Sequence, residues 1–230
     1  MASPRETAMK LRRGMGDKLI ICILGGTSFQ AADSEAIVKR IALELCAALR
    51  ERAIFMTGGM PGVQEAFALN CASGTEICNI LQEGQASKYG VGKDVCAGKT
   101  LEERRQIFAE IGDVYITIEG GPGVAQEANI AFQRGAAVLP LVRTGGASAG
   151  MFDFPTAALA RPAFATEAQW ALLSRKDAPI SEVGGAIRRL VDQYVEQRKS
   201  TEVPSATKGK GARGSGSGFF VRRFAICCGA

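Results

Sequence analysis

The sequence predicts an α/β fold of the Rossmann type, a doubly wound parallel sheet with helices on both faces. Short apolar runs alternate with amphipathic helical patterns, as buried parallel strands joined by crossover helices require. Several of those runs end in glycine turns that open straight into a helix, which lines the turns up along one edge of the sheet. The 230 residues, 47% of them hydrophobic, fit one domain with a sizeable core and tails.

The elements follow in order. Residues 1–17 read as a mobile basic lead ahead of a single domain over 18–198. Lys18–Leu24 is a continuous apolar strand ending at Gly25-Gly26-Thr27-Ser28. Ser34 is placed to cap a helix whose Ile37, Ile41, Leu45 and Leu49 recur every four residues. Ala53–Thr57 is a second strand, running into Gly58-Gly59. Gly62–Ser73 reads as a helix and Glu76–Leu81 as a strand. Residues 83–99 are polar and glycine-bearing, an irregular loop near the site. Thr100 caps a helix reaching about Ile111, and Asp113–Ile118 is the strand before the most informative turn. Ala125–Arg134 is the helix after it, stopped by Gly135, and Ala136–Val142 is the next strand. Thr144–Ser148 forms another glycine loop, with helical patterns near 166–174 and 181–198. Residues 199–230, rich in Lys, Gly, Ser, Ala and Pro as far as Gly218, read as a disordered basic tail. Its Cys227-Cys228-Gly229-Ala230 ending lacks the aliphatic pair of a prenylation signal, so an unmodified tail is the expectation.

Charge and composition exclude several classes. The net charge is +5, but residues 1–17 hold four basic and two acidic residues and residues 199–230 six basic and one acidic. The body between them is therefore −2, with no basic stripe of the kind a nucleic-acid binder shows on its folded domain. No apolar run reaches a membrane span, and Met1-Ala2-Ser3-Pro4-Arg5 has no apolar signal region. Histidine is absent, which removes the commonest general base near neutral pH and the commonest metal ligand. The seven cysteines have no CxxC spacing and read as reduced, mostly core residues of a cytoplasmic protein.

The chemistry concentrates in Ile116-Thr117-Ile118-Glu119-Gly120-Gly121-Pro122-Gly123-Val124-Ala125-Gln126-Glu127-Ala128. A strand ending in glycines and opening a helix builds an anion site, because the first N–H groups of a helix have no internal partner. Gly58-Gly59-Met60-Pro61-Gly62-Val63-Gln64-Glu65-Ala66 echoes it closely, which suggests two similar helix ends facing one crevice. Gly25, Gly26 and Thr27 add a third turn. Glycines at such places can also serve strand–helix packing alone.

Glu127 falls in the first turn of the expected helix. It reads either as an acid complementing the helix dipole or as a carboxylate facing the sugar of a bound nucleotide, where it would stabilise an oxocarbenium-like transition state. Arg104-Arg105 suit phosphate through the planar guanidinium fork. Only one of the two is expected to face the crevice, and a solvated face pairing with Glu102, Glu103 or Glu110 is the alternative.

These residues resemble the Lonely Guy (LOG) family, which also carries a lysine-decarboxylase label. Its Pro-Gly-Gly-x-Gly-Thr-x-x-Glu motif is matched by Glu119-Gly120-Gly121-Pro122-Gly123-Val124-Ala125-Gln126-Glu127, and its preceding Arg-Lys pair by Arg104-Arg105. The resemblance covers about residues 18–142. It implies a dimer of Rossmann-like subunits that releases a cytokinin base or its like from a nucleoside 5′-monophosphate, leaving ribose 5-phosphate. Arg104 and Glu127 would be catalytic. Gly25, Gly26, Thr27, Gly58, Gly59, Gly120, Gly121, Gly123 and Val124 would surround the ligand and its phosphate. No metal or redox cofactor is implied, and no Lys-centred decarboxylase motif is visible. The sequence departs from the motif where Val124 replaces threonine, Glu119 replaces proline and Arg105 replaces lysine. The turn is also similar to that of the algal molybdenum-cofactor carrier proteins, which share the fold and bind a phosphorylated pterin without turnover. A non-catalytic carrier or sensor is thus the alternative function.

Overall fold

The computed structural model of the chain describes residues 2–202. Six strands form one sheet: β1 (Leu19–Gly25), β2 (Ala53–Thr57), β3 (Ile77–Leu81), β4 (Lys93–Cys96), β5 (Val114–Ile118) and β6 (Ala137–Leu141). Their order is β4-β3-β2-β1-β5-β6, and every neighbouring pair is parallel. The helices are α1 (Pro4–Gly14), α2 (Ser34–Leu49), α3 (Val63–Leu69), α4 (Leu101–Ile111), α5 (Pro122–Gln133), α6 (Glu167–Ala171) and α7 (Ile180–Glu202). No helix among the described residues is long and apolar enough to cross a membrane.

Strand alternation divides the core. Ile21 and Ile23 face one side with Phe55, Ile116 and the buried residues of α2, α3 and α7. Ile20, Cys22 and Leu24 face the other, with Met56, Tyr115 and the buried residues of α1, α4 and α5. The sheet is thus covered on both faces, as an all-parallel sheet must be. The order reverses between β1 and β5, which puts the switch point between the carboxyl ends of Gly25 and Ile118.

Several expectations are corrected. Residues 4–14, expected as part of a mobile lead, form a helix against α4 with Ala8 buried. Ser3 and Glu6 make a reciprocal capping box, Pro4 starts the helix, and Arg12 reaches Asp113 at 3.1 Å. The expected loop at 83–99 contains β4, an exposed edge strand whose polar residues give no apolar alternation. The α2 N-cap is Asp33 rather than Ser34, whose hydroxyl is buried without a hydrogen-bond partner. Helix α3 stops at Leu69, short of the expected Ser73. At the other end α7 continues to Glu202, into the expected tail; the rest of that tail and its Cys-Cys ending lie outside the described residues.

Candidate functional site

Helix α5 begins at Pro122, three residues before the expected start, with Gly121 as its N-cap. Proline is well suited to a first helical position, since its fixed φ fits and its missing N–H would have no partner there. Glu127 therefore lies in the second turn, past the reach of a simple dipole role, and it is 4% exposed. Its partner comes from α4, where Arg104 Nη1 donates to Glu127 Oε1 at 2.8 Å and Nε donates to the Ile80 carbonyl at 2.8 Å. Arg104 is 6% exposed, and its Nη2 is buried with no hydrogen-bond partner. Burial pushes the Glu127 carboxyl above the ordinary carboxylate range, against the opposing pull of Arg104 and Arg105.

The free edge of that guanidinium lies against Gly58. A Cβ built there would sit 1.3 Å from Nη2, so only glycine leaves room for the arginine. The Gly58 and Met60 N–H groups both donate to Gln64 Oε1, at 2.8 and 3.2 Å, and the Gly59 N–H donates to Thr57 Oγ1. Gln64 in turn donates to the Ile23 carbonyl. The expected anion-facing N–H groups at 58 and 59 are spent inside the protein, and the turn serves as a socket for Arg104.

The second turn is open. The N–H groups of Gly121 and Gly123 have no backbone acceptor among the described residues, and the space a Gly121 side chain would take is empty within 4 Å. Arg105 reaches this turn as well: a Cβ on Gly123 would lie 3.0 Å from its Nη2. The two arginines thus part, with Arg104 buried behind Glu127 and Arg105 lying over the first turn of α5. Gly120, at φ +93°, packs against the Val124 side chain and accepts from Ala147 N–H. Val124 is nearly buried, and its N–H is already taken by the Gly121 carbonyl.

The remaining predicted residues divide. Gly25 is a packing glycine, since a Cβ there would overlap Val63. Gly26 donates its N–H to Ile118 and accepts from Val63 N–H. Thr27 is exposed on the loop beyond. Glu119 turns its carboxylate toward this loop and not toward the Gly121–Gly123 turn. Its φ of +54° is left-handed, a conformation costing an L-residue roughly 1–2 kcal/mol.

The polar loop at 83–92 rests over the first turn. Tyr89 Oη lies 2.6 Å from Thr57 Oγ1 and donates to Asn79 Oδ1 at 3.0 Å. Burial pushes the Tyr89 hydroxyl up to about 12, so it serves as a neutral hydrogen-bonding group. Sequence reasoning placed this loop near the site but could not single out Tyr89. The cleft between α1 and α4, lined by Pro4, Thr7, Cys96, Lys99, Glu103 and Ile107 among others, does not include Arg104 or Glu127.

Fold and site define a Rossmann-like α/β protein in which a buried arginine–glutamate pair stands behind an open glycine-turn helix end. A family model described as the SLOG cluster4 family matches residues 18–161. The chain belongs to that family. No curated protein matches it. Among solved structures it is similar to the Moco carrier protein from Chlamydomonas reinhardtii, with 16% identity, 76% of this chain and 99% of that one covered, and a TM-score of 0.51. It is also similar to the molybdenum cofactor binding protein from Rippkaea orientalis (18% identity, 53% and 74% covered, TM-score 0.45). A third is the protein TM1055, at 20% identity, 56% and 78% covered, and a TM-score of 0.49. The first of these, at a TM-score of 0.51, bears out the fold and no more.

Proposed function

We propose that this protein binds a nucleoside 5′-monophosphate and cleaves its N-glycosidic bond, giving the free base and ribose 5-phosphate. The observation that carries the reading is the orphaned Nη2 of Arg104. A buried charged donor without a partner costs roughly 1–3 kcal/mol or more. A ligand oxygen admitted at that edge by a small shift of the Gly58 turn removes the cost without breaking the bonds to Ile80 and Glu127.

The phosphate sits on the Gly121 and Gly123 N–H groups under Arg105, where helix end and guanidinium both favour an anion. As the bond from C1′ to the base nitrogen breaks, its electron pair leaves with the base and positive charge develops on the sugar. The Glu127 carboxylate stabilises that charge. Its raised proton affinity suits it to take a proton from the water that adds at C1′, while the departing base nitrogen takes up a proton from solvent, so that free base and ribose 5-phosphate result. Arg104 keeps Glu127 in place and orients the ligand.

The test is incubation of the purified protein with AMP and its N6-isopentenyl analogue, followed by chromatography for free base and ribose 5-phosphate. Release that falls about 10²–10³-fold in Glu127→Gln, the usual cost of one charge-stabilising group, is the expected result. A second reading, a carrier of a phosphorylated ligand, is favoured by the closed 2.8 Å contact between Arg104 and Glu127 and by the missing hydroxyl at Val124. The Moco carrier protein of similar fold is a carrier by name. Binding of AMP or a phosphorylated pterin with no base release would establish it. A homodimer in the cytoplasm belongs to the same proposal, and sedimentation as a monomer at micromolar concentration would remove the dimer.

A further inference from the structure

Glu119 stands where β5 runs out, beside the end of β1, at the reversal of strand order where doubly wound folds lodge ligands. The seat there is filled by the protein. Glu119 Oε1 accepts from the Gln30 and Ala31 N–H groups, at 3.0 and 2.8 Å, and Oε2 lies 3.1 Å from the Gln30 nitrogen. The carboxylate also lies against Gly26, where an added Cβ would be 3.3 Å from Oε2. The side chain is held there from its own backbone. The Glu119 N–H donates to Thr144 Oγ1, and its carbonyl accepts from the Ser148 N–H and hydroxyl. At 2% exposure the carboxylate is a fixed internal anion on two converging backbone donors. A phosphoryl group would bring the same kind of oxygen to the same donors, and it cannot enter beside a full negative charge already seated on them.

We propose that Glu119 is a specificity-determining residue: a built-in anion that holds the switch-point seat, confines the ligand to one phosphoryl group at the α5 turn, and rejects nucleoside diphosphates and dinucleotides. This rests on the reading that phosphate binds at α5. The occupancy of the seat can be tested apart from it.

The experiment is calorimetric titration of the full chain with AMP, ADP and inorganic phosphate, in wild type, Glu119→Gly and Glu119→Gln. Glycine tolerates the positive φ and empties the seat, whereas glutamine keeps it filled without charge. Wild type is expected to prefer AMP to ADP by at least about tenfold, a difference of 1.4 kcal/mol. Glu119→Gly is expected to erase that preference and to gain binding of inorganic phosphate, with Glu119→Gln gaining clearly less, since it loses the charge but keeps the seat filled. An unaltered AMP-to-ADP ratio and no gain in phosphate binding in folded Glu119→Gly would overturn the proposal, as would an equal gain in both variants. If the glycine variant does not fold, amide spectra of the wild type decide. The Gln30 and Ala31 resonances should stay in place on adding phosphate or ADP, and their movement overturns the proposal. Failure of wild type to bind AMP or ADP would refute the proposed function, while the phosphate titration of Glu119→Gly would still decide the occupancy of the seat.

Discussion

The two glycine turns, at 58–66 and 120–128, share most of their letters and do different work. In the first, the helix starts at Val63, so Gln64 is its second residue and can bend back to occupy the Gly58 and Met60 N–H groups. In the second, the helix starts at Pro122, so Gln126 is the fifth residue and bonds outward to Glu102. The N–H groups of Gly121 and Gly123 are left open as a result. The acids part the same way: Glu65 is half-exposed, and Glu127 is buried on Arg104. A three-residue difference in helix start thus turns one pattern into an arginine socket and the other into an open helix end. Reading a glycine motif as a phosphate site requires knowing who already owns its N–H groups.

Mutations at matching positions separate the two turns. The largest effect belongs to the second turn, where Glu127→Gln should reduce base release about 10²–10³-fold while Glu65→Gln leaves it unchanged. Equal losses would erase the distinction. Next, Gln64→Leu should cost about 1–3 kcal/mol in chemical denaturation, because buried N–H groups at 58 and 60 lose their acceptor. Gln126→Leu, on the surface, should stay within about 0.5 kcal/mol of wild type. Arg105→Gln should weaken AMP binding roughly tenfold, with stability nearly unchanged, since this arginine lies over the open turn and is only partly buried. The smallest effect is on pH dependence. Because burial raises the Glu127 carboxyl, its protonated form favours the folded state. That contribution is complete below the ordinary carboxylate value of about 4.3 and fades as pH rises through the raised folded value. Thermal melts of Glu127→Gln should lack this decline, gaining on wild type as pH rises through that window.

Much of the fold was legible because buried parallel strands are continuous apolar runs, and Leu19–Gly25 and Val114–Ile118 announce themselves. Strand β4 did not, since Lys93 and Asp94 on an exposed edge carry no apolar signal. Helix α1 is legible in Ser3-Pro4-Arg5-Glu6, a capping-box pattern with proline at the first position, but the basic charge around it masks the signal. At the site, Arg104 and Glu127 were named from the sequence and the fold brings them together at 2.8 Å. The separate use of Arg105 and the inward carboxylate of Glu119 were not legible. Both depend on which way a side chain turns from a helix or a left-handed residue, and that is settled by tertiary packing.

The most direct test of the account is a crystal structure of the protein with AMP. Phosphate oxygens are expected within hydrogen-bonding distance of the Gly121 and Gly123 N–H groups and of Arg105, with a ligand oxygen on Arg104 Nη2. Phosphate seated on the Gly58-Gly59 turn, with Gln64 displaced from its N–H groups, would contradict it.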